Sequence, residues 1–231
     1  ALGALGLLAA NLMLVAGRPP EAAVPSWIAF FALTIGGERL ELSRLSPVPR
    51  AARSAFGALS AALLLIALPF APRPLGVLLV LMAAWLARYD IATRTVRGAG
   101  LTRYIALCLL AGYAWLAIGG ALLAWNGAAA GGRELWDAAL HAILLGFVFS
   151  MVFGHAPVIL PAVLRVAIPF RAVLYLPLAL LHLSLAARVA GDIAANAPLR
   201  AVAGAGNALA IAVFIVTAAA LALSSTRKEA S

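Results

Sequence analysis

Three histidines are the residues best equipped for chemistry in this chain: His141, His155 and His182. An imidazole can bind a metal through its unprotonated nitrogen or exchange a proton near neutral pH, and inside a membrane such a group marks a functional site by default. All three lie within apolar runs. His141 and His155 are separated by thirteen residues. A continuous α-helix turns through roughly 1400° over that step, about 40° short of four full turns, and rises about 21 Å. The spacing predicts both imidazoles on one face of one helix, one in each leaflet. The helix that carries His182 runs back beside it. Counted from the outer boundary, His141 and His182 differ in depth by about 4–5 Å, whereas His155 and His182 differ by about 8–9 Å counted from the inner one. His141 with His182 is therefore the favoured pair, leaving His155 for a second site. Packed neighbouring helices lie about 8–10 Å apart, which suits a compact, directly coordinated metal better than a haem lying between them.

Two further residues could serve these histidines. Asp137 precedes His141 by one helical turn, where its carboxylate would orient the imidazole; the alternative is a residue favoured in a first turn by the helix dipole. Tyr175 lies two turns before His182 and shares its face, or else anchors the helix at the interface. The segment from Gly154 to Pro161 carries Pro157 and Pro161 in a span. Each proline removes a backbone bond that lipid cannot replace, and such a break is tolerated where protein or a cavity satisfies the freed groups. His155 either bonds a released carbonyl or lines a site there.

The His-x13-His spacing resembles that of the b-type cytochromes, in which two such helices hold two stacked haems by paired imidazoles. Three histidines allow one bis-imidazole site at most. The run from Leu140 through His141, Gly146, Phe147, Met151, Gly154 and His155 to Pro161 also resembles the histidine-bearing helices of haem–copper-oxidase-like membrane proteins, including the NnrS family linked to nitric oxide. The adjacent histidine pair of the oxidase catalytic subunit is absent. The resemblance implies haem b, or alternatively copper, held by His141, His182 and His155, and chemistry of electron transfer or of small diatomics such as nitric oxide or oxygen.

A second constellation is Glu38, Arg39, Glu41 and Arg44, whose charges can pair along one side of a helix end. It reads as a solvated helix end, or, through Arg39 and Arg44, as a contact for a haem propionate or an anionic lipid head group. Asp90, flanked by Arg88 and Arg94, reads as a local ion pair at the membrane boundary.

The elements that must position these groups follow from composition. Of 231 residues 65% are apolar and 11% charged, with mean hydropathy +1.06. Soluble domains average about 25% charged residues, so the soluble-enzyme, nucleic-acid-binding and disordered classes are excluded. The pattern predicts an all-α, polytopic bundle forming a single transmembrane domain over 1–231, with about eight helices near 1–17, 25–43, 54–71, 75–92, 101–125, 135–160, 171–191 and 200–224. The first reads as the trimmed start of a longer helix, not a cleavable signal. Twelve of the 17 basic residues fall on alternate connections and five on the others. The positive-inside rule then puts both termini in the cytoplasm, as expected of a bacterial inner-membrane protein.

Cys108 is the lone cysteine, too few for a disulfide or a thiolate metal site. Glycines such as Gly36, Gly37, Gly112, Gly119, Gly120, Gly204 and Gly206 read as close helix packing. Neither a nucleophile–base pair nor a phosphate loop is present, so any enzymatic role depends on a bound cofactor. The first functional expectation is a haem- or metal-binding membrane protein, alone or with other membrane subunits or a redox partner. A transporter-like bundle and an accessory subunit of a larger complex are the alternatives.

Overall fold

A computed structural model describes every residue except 1, 43–47, 69–70, 127–132, 166–167 and 230–231. The described residues are helical almost throughout and contain no strand. In chain order the helices are α1 (Leu2–Val15), α2 (Pro20–Leu42), α3 (Arg50–Ala67), α4 (Pro72–Tyr89), a single turn α5 (Ala92–Thr95), α6 (Gly100–Asn126), α7 (Arg133–His141), α8 (Ser150–Leu164), α9 (Tyr175–Ile193) and α10 (Ala197–Glu229). A π-helical stretch, Ala142–Phe149, joins α7 to α8 without a break, and one 3-10 turn, Ala172–Leu174, leads into α9.

Each of the eight expected stretches holds a helix, with α5 as an addition. Five segments are long and apolar enough to cross a membrane: Arg50–Ala67, Gly100–Trp125, Arg133–Val163, Ala172–Ile193 and Ala197–Ser224. The outer face of α10, with Val202, Leu209, Ile215 and Val216 exposed, has the apolar surface that lipid requires. The second helix starts earlier than expected, at Pro20, because a proline in the first turn forfeits no intrahelical bond.

The main core lies between α2, α3, α4, α6 and the π stretch, around Leu63, Leu75, Leu79, Met82, Leu86, Leu116 and Phe147. A second core joins α6, α8, α9 and α10, where Phe153 and Phe214 stack with centroids 3.9 Å apart and Cys108 is buried. Helices α4 and α6 approach most closely at Gly76 and Gly120. A Cβ on either glycine would collide with the other's carbonyl oxygen. This is the role expected of small residues in lipid, where van der Waals contact replaces the hydrophobic drive between helices.

The π stretch changes the geometry expected for the histidines. Widened turns advance each residue by less than the α-helical 100°, and over eight residues the lag grows to roughly a quarter to half a turn. His141 and His155 consequently do not share a face: the first turns toward α9 and the second toward α2. The helix continues through Pro157 and Pro161 to Leu164, so the expected break is a local loss of backbone bonds. Gly120→Leu is expected to force α4 from α6 and lower the thermal midpoint in detergent by about 5 °C or more. Gly37→Ala, which places its Cβ in open space within α2, should leave the midpoint unchanged or raise it slightly, since alanine is the better helix former.

Candidate functional site

At one end of the bundle the last turns of α2 bring Arg39 inward. The side chain is 7% exposed, and its Nη2 lies 3.2 Å from Nε2 of His155 on α8. Nδ1 of His155 lies 2.8 Å from the carbonyl oxygen of Met151, one turn earlier. A carbonyl only accepts, so Nδ1 carries the proton and Nε2 holds the lone pair that accepts from the guanidinium. The carbonyls released by Pro157 and Pro161 are those of Phe153 and Pro157; His155 bonds neither, which corrects that expectation. Arg39 Nε, also buried, has no partner.

Beside this pair, the carboxylate of Asp90 caps the start of α5. Its Oδ1 accepts from the amide of Ala92 at 2.7 Å and its Oδ2 from the hydroxyl of Tyr113 at 3.0 Å. The charges of Arg39, Glu38 and Asp90 all act on His155, so groups from α2, α4–α5, α6 and α8 meet electrostatically at one place. Two expectations are corrected here. Arg39 is not part of a solvated helix end, and Asp90 turns inward to Tyr113 instead of pairing with Arg88 or Arg94. Arg88 lies over the ring of Tyr89, 5.2 Å from its centroid. Glu41 faces a shallow polar hollow with Arg53, and Arg44 lies outside the described residues.

An apolar cleft opens directly at His155. It has a volume of about 450 Å³ between Phe30, Phe31 and Ile35 of α2 and Val148, Met151, His155 and Ile159 on the opposite wall. Glu38 and His155 are its ionisable lining groups. A mostly apolar cavity with a few convergent polar groups is the usual form of a small-molecule site.

The other end is built differently. One carboxylate oxygen each from Asp137 and Asp192 and one ring nitrogen of His141 lie within 4.8 Å of one another. Two guanidiniums already occupy these acids. Arg188 meets Asp137 at 2.5 Å and Asp192 at 3.3 Å, and Arg200 meets Asp192 at 3.1 Å and Glu134 at 3.9 Å. Asp192 is fully buried in this network, which ties α7, α9 and α10 together. His141 donates Nδ1–H to the backbone carbonyl of Asp137 at 2.8 Å, with the carboxylate at 3.5 Å. Asp137 thus orients the imidazole chiefly through its main chain.

His182 has a third environment. The indole N–H of Trp115 donates to its Nδ1 at 3.0 Å. The neutral ring must then carry its proton on Nε2, which is buried without a partner. In that tautomer neither nitrogen offers a lone pair to a metal. Tyr175 joins Tyr104 and Phe170 in a triangle of rings with centroids 5.3–6.1 Å apart. The three histidines therefore have three different sets of partners. Arg39 and the Asp90–Tyr113 pair were the functional groups that sequence spacing did not connect to His155.

Residues 1–223 match the family described as domain of unknown function DUF8744. The chain belongs to that family. No curated protein and no solved structure matches it. The family match covers both polar ends and every helix that forms them.

The tautomers can be read directly. Nitrogen NMR of protein labelled at histidine is expected to show two rings protonated at Nδ1, assigned by His141→Ala and His155→Ala, and one at Nε2, assigned by His182→Ala. Trp115→Phe should perturb the last ring alone.

Proposed function

We propose that the protein is an integral membrane protein that binds a membrane-dissolved redox molecule in the cleft between α2 and α8, with His155 at its reactive end. One observation carries this reading: an imidazole whose Nε2 lone pair meets a buried guanidinium lines a cleft that, Glu38 and Thr34 apart, is otherwise apolar. Such a nitrogen can accept a hydrogen bond, take up a proton or ligate a metal. The arrangement of arginines supports an orientation with both termini in the cytoplasm of a bacterial cell and the His155 end facing inward.

Haem b is a second reading of the same site, favoured by the tautomers. Metal-ligating histidines almost always donate their other N–H to a carbonyl, carboxylate or water, as His155 and His141 do. His155 would hold the iron once Arg39 turned from Nε2, and Arg39 would face an acidic group of the porphyrin. The haem would supply electron transfer or binding of a diatomic such as nitric oxide. Copper has weaker support: the donors gathered around His141 are mainly carboxylates, which suit harder cations and are matched by Arg188 and Arg200. A transporter or an accessory subunit would use the same cleft without a redox group.

A reduced-minus-oxidised spectrum of the detergent-purified protein, with iron and copper measured on the same sample, separates these readings. The organic-ligand reading expects no stoichiometric metal and an extractable redox-active molecule that His155→Ala loses and His182→Ala keeps. A Soret band with one iron per chain, lost in His155→Ala, would establish haem instead. Full retention of any bound species in His155→Ala would remove the cleft from consideration.

A further inference from the structure

Arg88 and Arg94, which flank Asp90, take no part in the cleft at His155. Helix α4 stops at Asp90, whose extended backbone (ψ 145°) starts the turn into α5. Asp90 itself holds that turn. Its Oδ1 accepts from the amide of Ala92 at 2.7 Å, its Oδ2 from the hydroxyl of Tyr113 at 3.0 Å and its carbonyl oxygen from the hydroxyl of Thr93 at 2.9 Å. Against the turn lies a polar hollow of about 300 Å³, lined by Arg88, Tyr89, Asp90, Thr93 and Arg94 and by Pro49 just before α3.

The charge of the hollow is unbalanced. Arg88 and Arg94 are exposed, and among the described residues neither guanidinium has an ion pair or a side-chain hydrogen bond. Arg88 is steadied over the ring of Tyr89, 5.2 Å from its centroid. Asp90 is the acidic lining group, 4% exposed and with both carboxylate oxygens bonded inward. Two guanidiniums against one carboxylate leave an excess of positive charge. Thr93 already donates its hydroxyl proton, so the arginines are the charged donors that the hollow presents. Planar guanidinium forks match the oxygens of a phosphate.

The surface below Arg88 narrows the source of that phosphate. Val77, Leu81 and Ala84 precede Arg88 at helical spacing, and all three are exposed. From Val77 to Arg88 the helix rises about 16 Å, roughly one leaflet of a hydrocarbon core about 30 Å thick. A free phosphate would use the guanidiniums alone, whereas a phospholipid uses the guanidiniums and the apolar stripe together. A zwitterionic head would bring its own cation to the arginines. We propose that the hollow binds the phosphate of a phospholipid with a net negative head, held between Arg88 and Arg94, with an acyl chain along Val77, Leu81 and Ala84 of α4. The site is independent of the cleft. In the orientation proposed above it faces the cytoplasmic leaflet, where anionic lipid attracts basic residues.

The test uses the full chain in a non-ionic detergent, titrated with phosphatidylglycerol, phosphatidylcholine of the same acyl chains, and glycerol phosphate, with bound species resolved by native mass spectrometry. Phosphatidylglycerol is expected to fill its first site about fivefold more tightly than phosphatidylcholine, and Arg88→Gln and Arg94→Gln each to weaken that step about fivefold. Each variant tests the site by itself, should the other fail to fold. Arg97→Gln, exposed on the same connection but outside the hollow, should leave the step unchanged. Phosphatidylcholine binding as tightly as phosphatidylglycerol would overturn the anionic head. An equal loss in Arg97→Gln would overturn the hollow in favour of diffuse surface charge. Glycerol phosphate binding as tightly as the lipid would overturn the lipid and make the hollow a site for a free phosphate. Phosphatidylglycerol binding unchanged in both Arg88→Gln and Arg94→Gln would overturn the site altogether.

Discussion

Eight residues of widened helix between His141 and His155 decide how the two ends of this bundle differ. A regular α-helix would have kept both imidazoles on one face. The π stretch retards the helix, so α7 presents His141 and Asp137 toward α9, while α8 presents His155 toward α2. The stretch is also a packing surface: Gly146 admits the ring of Trp115, and the hydroxyl of Ser150 donates to the Gly146 carbonyl. Held there, Trp115 donates to His182 and fixes its tautomer. One irregular segment therefore sets the direction of two histidines and, through Trp115, the protonation of the third. Segments of this kind occur often at functional sites because they re-aim side chains without ending the helix.

Low dielectric makes every buried polar group in such a bundle consequential. Where α7, α9 and α10 meet, Asp192, fully buried, is met by both Arg188 and Arg200, and Arg188 also holds Asp137. Acids and arginines meet there as ion pairs, which tie α7, α9 and α10 together. Around α2 and α8 Asp90 is satisfied by the Ala92 amide and the Tyr113 hydroxyl, while Arg39 Nε has no partner among the described residues. A buried donor with no partner costs about 1–3 kcal/mol, and the cost is offset when a ligand supplies the acceptor.

Much of the architecture was legible from hydropathy. Each apolar run marks a helix because backbone groups in lipid must bond within their own segment, and the positions of Arg and Pro mark the ends. The three histidines, singled out as ionisable groups within apolar runs, lie half-buried within helices. Their partners were not legible. The same-face reading of His141 and His155 assumed a constant 3.6-residue turn, and nothing in Ala142–Phe149 announces a wider one. Arg39 looked like a helix-end charge because Glu38 and Glu41 flank it, yet Glu38 lines the cleft and Glu41 faces Arg53, while Arg39, on another side of the helix, turns in to α8. The pairing with His155 joins residues 116 apart in sequence, beyond the reach of any local pattern.

The contrast between the two ends also bears on metals. Sequence spacing favoured His141 and His182, which sit at similar depths, but depth does not determine which nitrogen of a ring is free. Trp115 donates to His182 Nδ1 and so places the proton on Nε2, whereas the carbonyls of Asp137 and Met151 place it on Nδ1 in the other two rings. His141 and His155 therefore carry their lone pair on Nε2, which in His155 already accepts from Arg39. Of these, His141 stands among acids already bound to arginines, and His155 lines the apolar cleft. A ligand at His155 would compete with one hydrogen bond from Arg39, whereas a ligand at His141 would have to displace an ion-pair network.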